Sequence, residues 1–418
     1  MVMTWSSPTP STPDYTAAAG VQAPAPAVAP TAVAANAVNS AQPGLTAPTK
    51  STNVLLILGI IGVVLVSIIT LWVVTILIGN LGIDAFALGG IMALIPLAIV
   101  FFVVRWIDRW EPEPRLAVVF AFLWGAGVAV IIALLVGAEI DNVVYSMGGP
   151  GAGYEFFGAA IQAPIVEEGG KGLGLLILFL VARKHFDGPV DGLVYAAWVA
   201  GGFAFTENIL YFGSQLLDAG GFDASVTEIF LVRGIMSPFA HVMFTSFIGV
   251  ALGLAARRTG ALGAIGFYII GLIPAVLLHA LWNGALFFVP DFYGYYILVQ
   301  VPLFAIAVGI VFLLRRQEAK LTRDRLADYA AAGWFAPSEV NALATPAGRR
   351  QALAWAGSQG KRKQMKQYVN DATKLAFARQ RIVTGRNKIG AQADEAALLG
   401  AILESRAALS AAGTQPVR

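Results

Sequence analysis

Two adjacent glutamates and a lysine interrupt an otherwise apolar stretch, "APIVEEGGKGLGLLILFL" at residues 163–180. Lys171 lies four residues after Glu167 and three after Glu168, so on a helix its ammonium can pair with either carboxylate along one face. One glutamate can then stay charged and paired, while the other, removed from water, is suited to act as a general base. The spacing therefore predicts acid–base chemistry inside this stretch.

Three further apolar stretches each carry one ionisable group: Glu207 in "GGFAFTENILYF", His241 in "SPFAHVMFT" and His279 in "LLHALWNGALF". The chain has no cysteine and 3 histidines, so any metal must be held by His, Glu, Asp or Asn. Two imidazoles and one carboxylate form the ligand set of a catalytic zinc, with a fourth position for water. We predict these three residues as zinc ligands, with the base drawn from the Glu167/Glu168 pair.

Two more residues complete the predicted chemistry. Asn283 follows His279 by four residues on the same helical face, and Lys171 lies beside the glutamates. Both can donate hydrogen bonds to a developing oxyanion. A metal-free version, in which a glutamate and a histidine jointly activate water, fits the same residues equally well.

The elements that position these residues are predicted to be membrane-spanning helices. Of 418 residues, 57% are hydrophobic and 13% are charged, against roughly 25% charged in an average soluble domain. A helix needs about 20 apolar residues to cross a bilayer. Eight stretches meet that length, near 54–79, 86–107, 116–138, 155–182, 189–213, 227–256, 261–289 and 294–314. The predicted fold class is an all-α, polytopic bundle of about eight transmembrane helices.

The distribution of basic residues predicts the orientation of these spans. Lys and Arg flank alternate links, at Arg105, Arg109, Arg115, Arg183, Lys184, Arg257, Arg258, Arg315 and Arg316. The four opposing loops contain neither: "GNLGID", "EIDNVVYSMGGPGAG", "GSQLLDAGGFDAS" and "PDFYG". By the positive-inside bias, eight spans in the plasma membrane with both termini cytoplasmic satisfy every loop.

With this topology, Glu167, Glu207, His241 and His279 lie at nearly one level, about 22 to 27 Å from the cytosolic ends of four consecutive spans. If these four side chains faced lipid, their insertion into the membrane would cost on the order of 10 kcal/mol of free energy. The four groups are therefore expected to face one another or an aqueous cavity. The alternative is a structural network of interhelical hydrogen bonds, each worth about 0.6 kcal/mol.

The regions outside the spans differ in composition. Residues 1–50 hold 8 of the 21 prolines and few charges, which predicts a disordered cytosolic tail. Residues 317–418 carry 16 Lys/Arg against 8 Asp/Glu and read as a basic helical region near anionic lipid. No nucleic-acid motif is present, so no nucleic-acid partner is expected. The predicted domains are the tail at 1–50, a transmembrane domain at 51–316 and the basic helical region at 317–418.

Three remaining features have ordinary interpretations. His185, in "ARKHFDG", is predicted to be a solvated loop residue, and "DRWEPEPR" at 108–115 an interfacial turn. Arg233, near the outer end of span six, is expected to snorkel outward or to pair with Glu228 or another acid.

Taken in order, the motifs resemble the PrsW family of intramembrane proteases, related to the prenyl-protein (CAAX) processing endopeptidases. "EEGGK" matches EExxK, Phe203 to Glu207 matches FxxxE, and single histidines follow on the next two spans. "DRWEPEP" and "RGIMSPFAHVMFTSFIGVALG" extend the resemblance over roughly residues 90 to 290. Asn283 matches the HxxxN form of the wider superfamily.

The resemblance implies an intramembrane endopeptidase, acting on a membrane protein such as a membrane-anchored anti-sigma factor in stress signalling. It assigns Glu167, Glu168, Glu207, His241 and His279 as catalytic or metal residues. Two other functions remain open. A proton-coupled transporter predicts matching halves with interrupted spans, which the sequence does not show. A catalytically silent scaffold would keep the same residues as a polar network.

Overall fold

Helices form all the regular structure in the residues that the computed structural model describes, 49–183, 186–385 and 388–410. The predicted all-α, polytopic class is confirmed. The predicted disordered tail lies almost wholly outside the described residues, as does His185.

The membrane part is built from eight helices within the described ranges, and several contain π-helical turns. They are α1 (Thr49–Ile107), α2 (Arg115–Ser146), α3 (Ala163–Val181), α4 (Pro189–Asp218), α5 (Ala224–Ile229, continued by a π-helical turn, Phe230–Met236), α6 (Ala240–Arg258), α7 (Ala261–Ala285) and α8 (Phe292–Ala331).

Six helical segments in the described part are long and apolar enough to cross a membrane. One of them lies within α1, where the backbone leaves the helix at Gly82 with φ 72° and ψ 163°. Gly59, near the start of α1, packs against Leu116 at the start of α2. A short link joins the last residue of α1 to the same end of α2. Both ends of α1 therefore lie at the same end of the helix bundle. α3, which carries three charged residues, is not among the six. The count of eight spans and their orientation stay predictions.

α4 packs at the centre of the bundle through close backbone contacts. A Cβ added to Gly125 of α2 would lie 1.8 Å from the carbonyl oxygen of Val199. One added to Gly192 would lie 1.9 Å from the carbonyl oxygen of Gly249 in α6. Small residues allow such approach where hydrophobic burial cannot drive helix association. α4, which carries Glu207, is thereby held against α2 and α6.

The C-terminal part forms a second cluster of helices with its own apolar core. α9 (Pro337–Ala344), α10 (Pro346–Ser358), α11 (Arg362–Val383) and α12 (Lys388–Ser410) pack with the end of α8. Their shared core contains Leu326, Trp334, Val340, Leu343, Ala356, Leu375 and Ile402. The predicted boundary at 316/317 falls inside α8, which runs without interruption from the membrane part into this cluster.

Two arginines dock the C-terminal helices onto the membrane part. Arg349, almost fully buried, stacks 3.4 Å from the centroid of the Trp110 ring and donates to the Trp110 carbonyl at 3.0 Å and the Thr373 hydroxyl at 2.6 Å. Arg381 forms two hydrogen bonds, of 2.8 and 2.9 Å, with the carboxylate of Asp187, just before α4. The "DRWEPEP" segment is thus part of a buried interface as well as a turn.

An acidic side chain beside this interface lacks a full set of partners. Oε2 of Glu111 is buried without a hydrogen-bond partner in the described part of the chain. Burial raises the pKa of Glu111 well above its usual range, and the carboxylates of Asp187, Asp191 and Glu318 raise it further. Since these causes act on the charged form, they favour the uncharged carboxyl at this position.

Replacing Arg349 with alanine should loosen the docking of the C-terminal helices. The change removes the donor to Trp110 and Thr373 and uncovers the indole face, so the free energy of local opening should fall by about 1–3 kcal/mol. Hydrogen exchange of residues 108–114 and 346–358 measures this opening. Arg350→Ala, at the exposed neighbouring position, is the control; equal exchange in the two variants would contradict the docking role.

Candidate active site

The ammonium of Lys171 lies at the centre of the predicted site residues. It is fully buried and contacts Glu168 Oε1 at 2.8 Å, His241 Nδ1 at 3.0 Å and Glu167 Oε2 at 3.2 Å. The ring of Phe203 lies beneath it, 3.9 Å from Nζ to the centroid. A lysine ammonium has three N–H donors and no acceptor. Each donor therefore has one acceptor.

These contacts fix the roles of both imidazoles. Because Lys171 can only donate, Nδ1 of His241 must accept, which leaves the proton on Nε2 to be donated to Glu207 Oε2 at 2.8 Å. Nδ1 of His279 lies 3.1 Å from Oε1 of Glu168, a carboxylate that can only accept. Nδ1 of His279 therefore carries a proton, and in the neutral imidazole Nε2 presents a lone pair.

Glu168 has a full set of hydrogen bonds. Its side chain has no exposed surface. Oε1 accepts from Lys171 and His279, and Oε2 accepts from the hydroxyl of Thr245 at 2.7 Å. Sequence reasoning missed Thr245, although its position four residues after His241, on one face of α6, is a signal for it.

Glu167 is the more open of the two glutamates. Its residue is 8% exposed, and only Oε2 is hydrogen-bonded in the described structure, to Lys171. The same oxygen lies 3.9 Å from Nε2 of His279. A water molecule placed beside this pair can contact both atoms, since each has an unused acceptor position.

The same oxygen of Glu207 is also bonded to Arg233, which sequence reasoning kept outside the site. Nη2 of Arg233 lies 2.6 Å from Oε2 of Glu207, and Nε donates to Asn208 Oδ1 at 3.2 Å. Its partner is thus an acid within the site, and Glu228 is not bonded to it. Arg233 lies eight residues before His241, but counting along a regular helix does not predict this contact. The π-helical turn over Phe230–Met236 changes the number of residues per turn.

A small cavity opens beside the imidazoles. It holds about 50 Å³, enough for a few water molecules. Asn283 lines it and donates one amide hydrogen to the carbonyl of Ala159 at 3.0 Å, which leaves its second N–H free. The lining comprises Ala204, Asn208, Arg233, Ser237, Pro238, Ala240, His241, Phe244, His279, Trp282 and Asn283. The amide of Asn283 and the ring of His279 therefore line the same cavity.

Four of the site residues also meet the requirements of a metal site. Donor atoms of Glu167, Glu168, His241 and His279 all lie within 4.8 Å of one another, and carboxylate and imidazole ligands suit zinc. Glu207, predicted as a zinc ligand, lies beside this set, bonded to His241. The donor set fits a metal in type and spacing, although the Lys171 ammonium contacts three of the four.

Comparison with known proteins finds one family that is similar to part of the chain. The sequence model of the PrsW family intramembrane metalloprotease matches residues 113–307. The chain is 34% identical to Protease PrsW of Clostridioides difficile (strain 630) over 161 residues, and 28% identical to Protease PrsW of Bacillus subtilis (strain 168) over 177 residues. Residues 113–307 of the chain are thus similar to the PrsW family. No solved structure matches this chain significantly.

The extent of these matches differs between relatives. The match covers 38% of this chain and 62% of the C. difficile protein, which is less than two thirds of that relative. It covers 42% of this chain and 72% of the B. subtilis protein. The family model includes all the predicted site residues, whereas α9 to α12 lie outside it.

Removing the central ammonium should strongly destabilise the protein. Lys171→Met leaves two buried carboxylates without their cation, and such broken pairs cost about 3–5 kcal/mol. Thermal unfolding in detergent measures the loss. The double variant Lys171→Met/Glu168→Gln should recover part of it, since it removes the facing charge. Unchanged melting of Lys171→Met would show that the ammonium does not hold the site together.

Proposed function

We propose that the chain is an intramembrane endopeptidase that hydrolyses a peptide bond of a membrane protein. The observation that carries this proposal is the convergence of side chains from α3, α4, α6 and α7 around the buried Lys171 ammonium. The open carboxylate of Glu167 lies there 3.9 Å from the imidazole of His279, which lines a small cavity. These are the parts that water activation requires. Similarity to the PrsW intramembrane proteases over residues 113–307 supports the same reaction class.

In this proposal Glu167 is the general base and Glu168 is a positioning residue. The reacting water would bind beside Oε2 of Glu167 and Nε2 of His279, which lie 3.9 Å apart. Glu167 takes a proton from the water while the oxygen forms a bond to the carbonyl carbon of the substrate. Glu168 holds His279 in the tautomer that leaves Nε2 unprotonated, and its own oxygens are already occupied.

The oxyanion that forms needs donors that become available at that moment. Protonation of Glu167 weakens its bond to Lys171, so one ammonium N–H is released toward the new charge. The second amide hydrogen of Asn283 is the other donor. When the C–N bond breaks, Glu167 returns its proton to the leaving amine, which balances the reaction.

A zinc ion, if bound, would be held by Glu167, Glu168, His241 and His279. It would supply Lewis-acid polarisation of the carbonyl oxygen and of water. Lys171 would then have to withdraw from His241 and from the carboxylates, which its contacts oppose.

The substrate class follows from the depth of the site. A helical segment hides its carbonyls, so a substrate must unwind locally to reach the cavity. We propose a membrane-anchored protein as substrate, with an anti-sigma factor as the candidate that the family resemblance implies. The proposed location is the plasma membrane, with both termini cytoplasmic and the basic C-terminal helices near anionic lipid.

Glu167→Gln should abolish cleavage without unfolding the protein. Loss of a general base lowers the rate by about 10² to 10⁴-fold. The measurement is cleavage of a single-span substrate by the purified protein in liposomes, with Glu139→Gln, an exposed acid on α2, as control. If Glu167→Gln cleaves like the parent, Glu167 is not the base.

Cleavage should continue after removal of divalent metal. The ammonium of Lys171 occupies the centre of the site through its contacts with Glu167, Glu168 and His241, so we expect activity to persist after EDTA treatment, with substoichiometric zinc in the sample. Zinc content is measured on the same preparation. If cleavage stops with the chelator and returns with added zinc, the metal-dependent reaction replaces the metal-free one.

A further inference from the structure

The guanidinium of Arg233 is fixed on three sides by α4. Nη2 pairs with Glu207 at 2.6 Å, Nε donates to Asn208 at 3.2 Å, and the plane lies 3.8 Å from the centroid of the Tyr211 ring. Lysine, a point charge on a flexible stem, cannot make this set of contacts. The position therefore requires the shape of arginine in addition to its charge.

The segment that carries Arg233 is itself held in place. After the π-helical turn the chain leaves the helix at Ser237, whose hydroxyl donates to the Val232 carbonyl at 2.6 Å. The carbonyl of Met236 accepts from the Tyr296 hydroxyl at 2.8 Å. These bonds satisfy backbone groups that the break would otherwise leave unpaired within the membrane. Arg233 thus projects from a fixed support.

A directed series of hydrogen bonds runs from Arg233 to the proposed base. Arg233 and His241 share Oε2 of Glu207, at 2.6 and 2.8 Å. With its Nε2 proton on Glu207, His241 offers Nδ1 to Lys171, whose other donors reach Glu167 and Glu168. Without a fixed Glu207, the ring of His241 can adopt the other tautomer, which has no acceptor for Lys171 at Nδ1.

We propose that Arg233 is a positioning residue: it orients Glu207 so that His241 presents Nδ1 to Lys171, and so places the ammonium between the two glutamates. This inference rests on the proposed peptidase function for its kinetic consequences. Arg233 acts through Glu207, whereas other residues contact the reacting atoms.

Kinetics in liposomes test the assignment. Loss of a supporting partner typically costs 10–100-fold, so Arg233→Gln should lower kcat by about that factor with little change in KM. Glu207→Gln should have a similar effect, and the double variant should be no worse than either single one, because both remove the same link. Arg233→Lys should recover part of kcat, since it restores the charge facing Glu207.

Glu228→Gln, an exposed acid in the same segment, is the matched control and should cleave like the parent. If Arg233→Gln raises KM and leaves kcat unchanged, Arg233 contacts substrate and the positioning role is wrong. Additive losses in the double variant would also overturn it.

A spectroscopic measurement separates this inference from the peptidase proposal. The chain has 3 histidines, so ¹⁵N-histidine NMR of the protein in nanodiscs can resolve His241. The parent should show His241 protonated on Nε2, and Arg233→Gln should shift it toward a mixture of tautomers, whether or not a cleaved substrate is known. An unchanged His241 spectrum in Arg233→Gln would overturn the inference even if cleavage is observed.

Discussion

Burial of the Lys171 ammonium within a helix bundle is the constraint on which the site depends. A charge at that depth is stable only if each of its donors meets an acceptor. The acceptors come from α3 itself and from His241 on α6, so satisfying one cation fixes the relative position of two helices. His279 on α7 and Glu207 on α4 are then bound through the acceptors. The contacts that stabilise the buried ammonium are therefore the same contacts that bring the site residues together.

Much of this arrangement could be predicted because depth is readable from sequence. Apolar runs give the spans, and counting residues along them puts Glu167, Glu207, His241 and His279 at one level. Their convergence follows from the cost of exposing them to lipid. The spacing of Glu167, Glu168 and Lys171 gave the pairing along α3, and the structure shows both contacts.

The direction in which each helix faces could not be predicted in the same way. π-helical turns in α2, at the start of α3, in α5 and in α8 shift the register, so regular helical counting fails near them. For Arg233 the sequence therefore allowed an outward position or a pairing with Glu228 or another acid, and the structure shows Glu207 as the acid. The sequence also does not distinguish the two glutamates, because the difference in their hydrogen bonding depends on Thr245 and His279. Both contact Glu168 from other helices.

The contacts that cover Trp110 lie outside the residues that match the family model, 113–307. The indole N–H of Trp110 donates to Thr322 on α8, and its ring and carbonyl are covered by Arg349. A truncation that stopped at residue 316 would remove both partners and uncover the indole. A boundary drawn for this protein from the matched residues alone would therefore divide a buried interface.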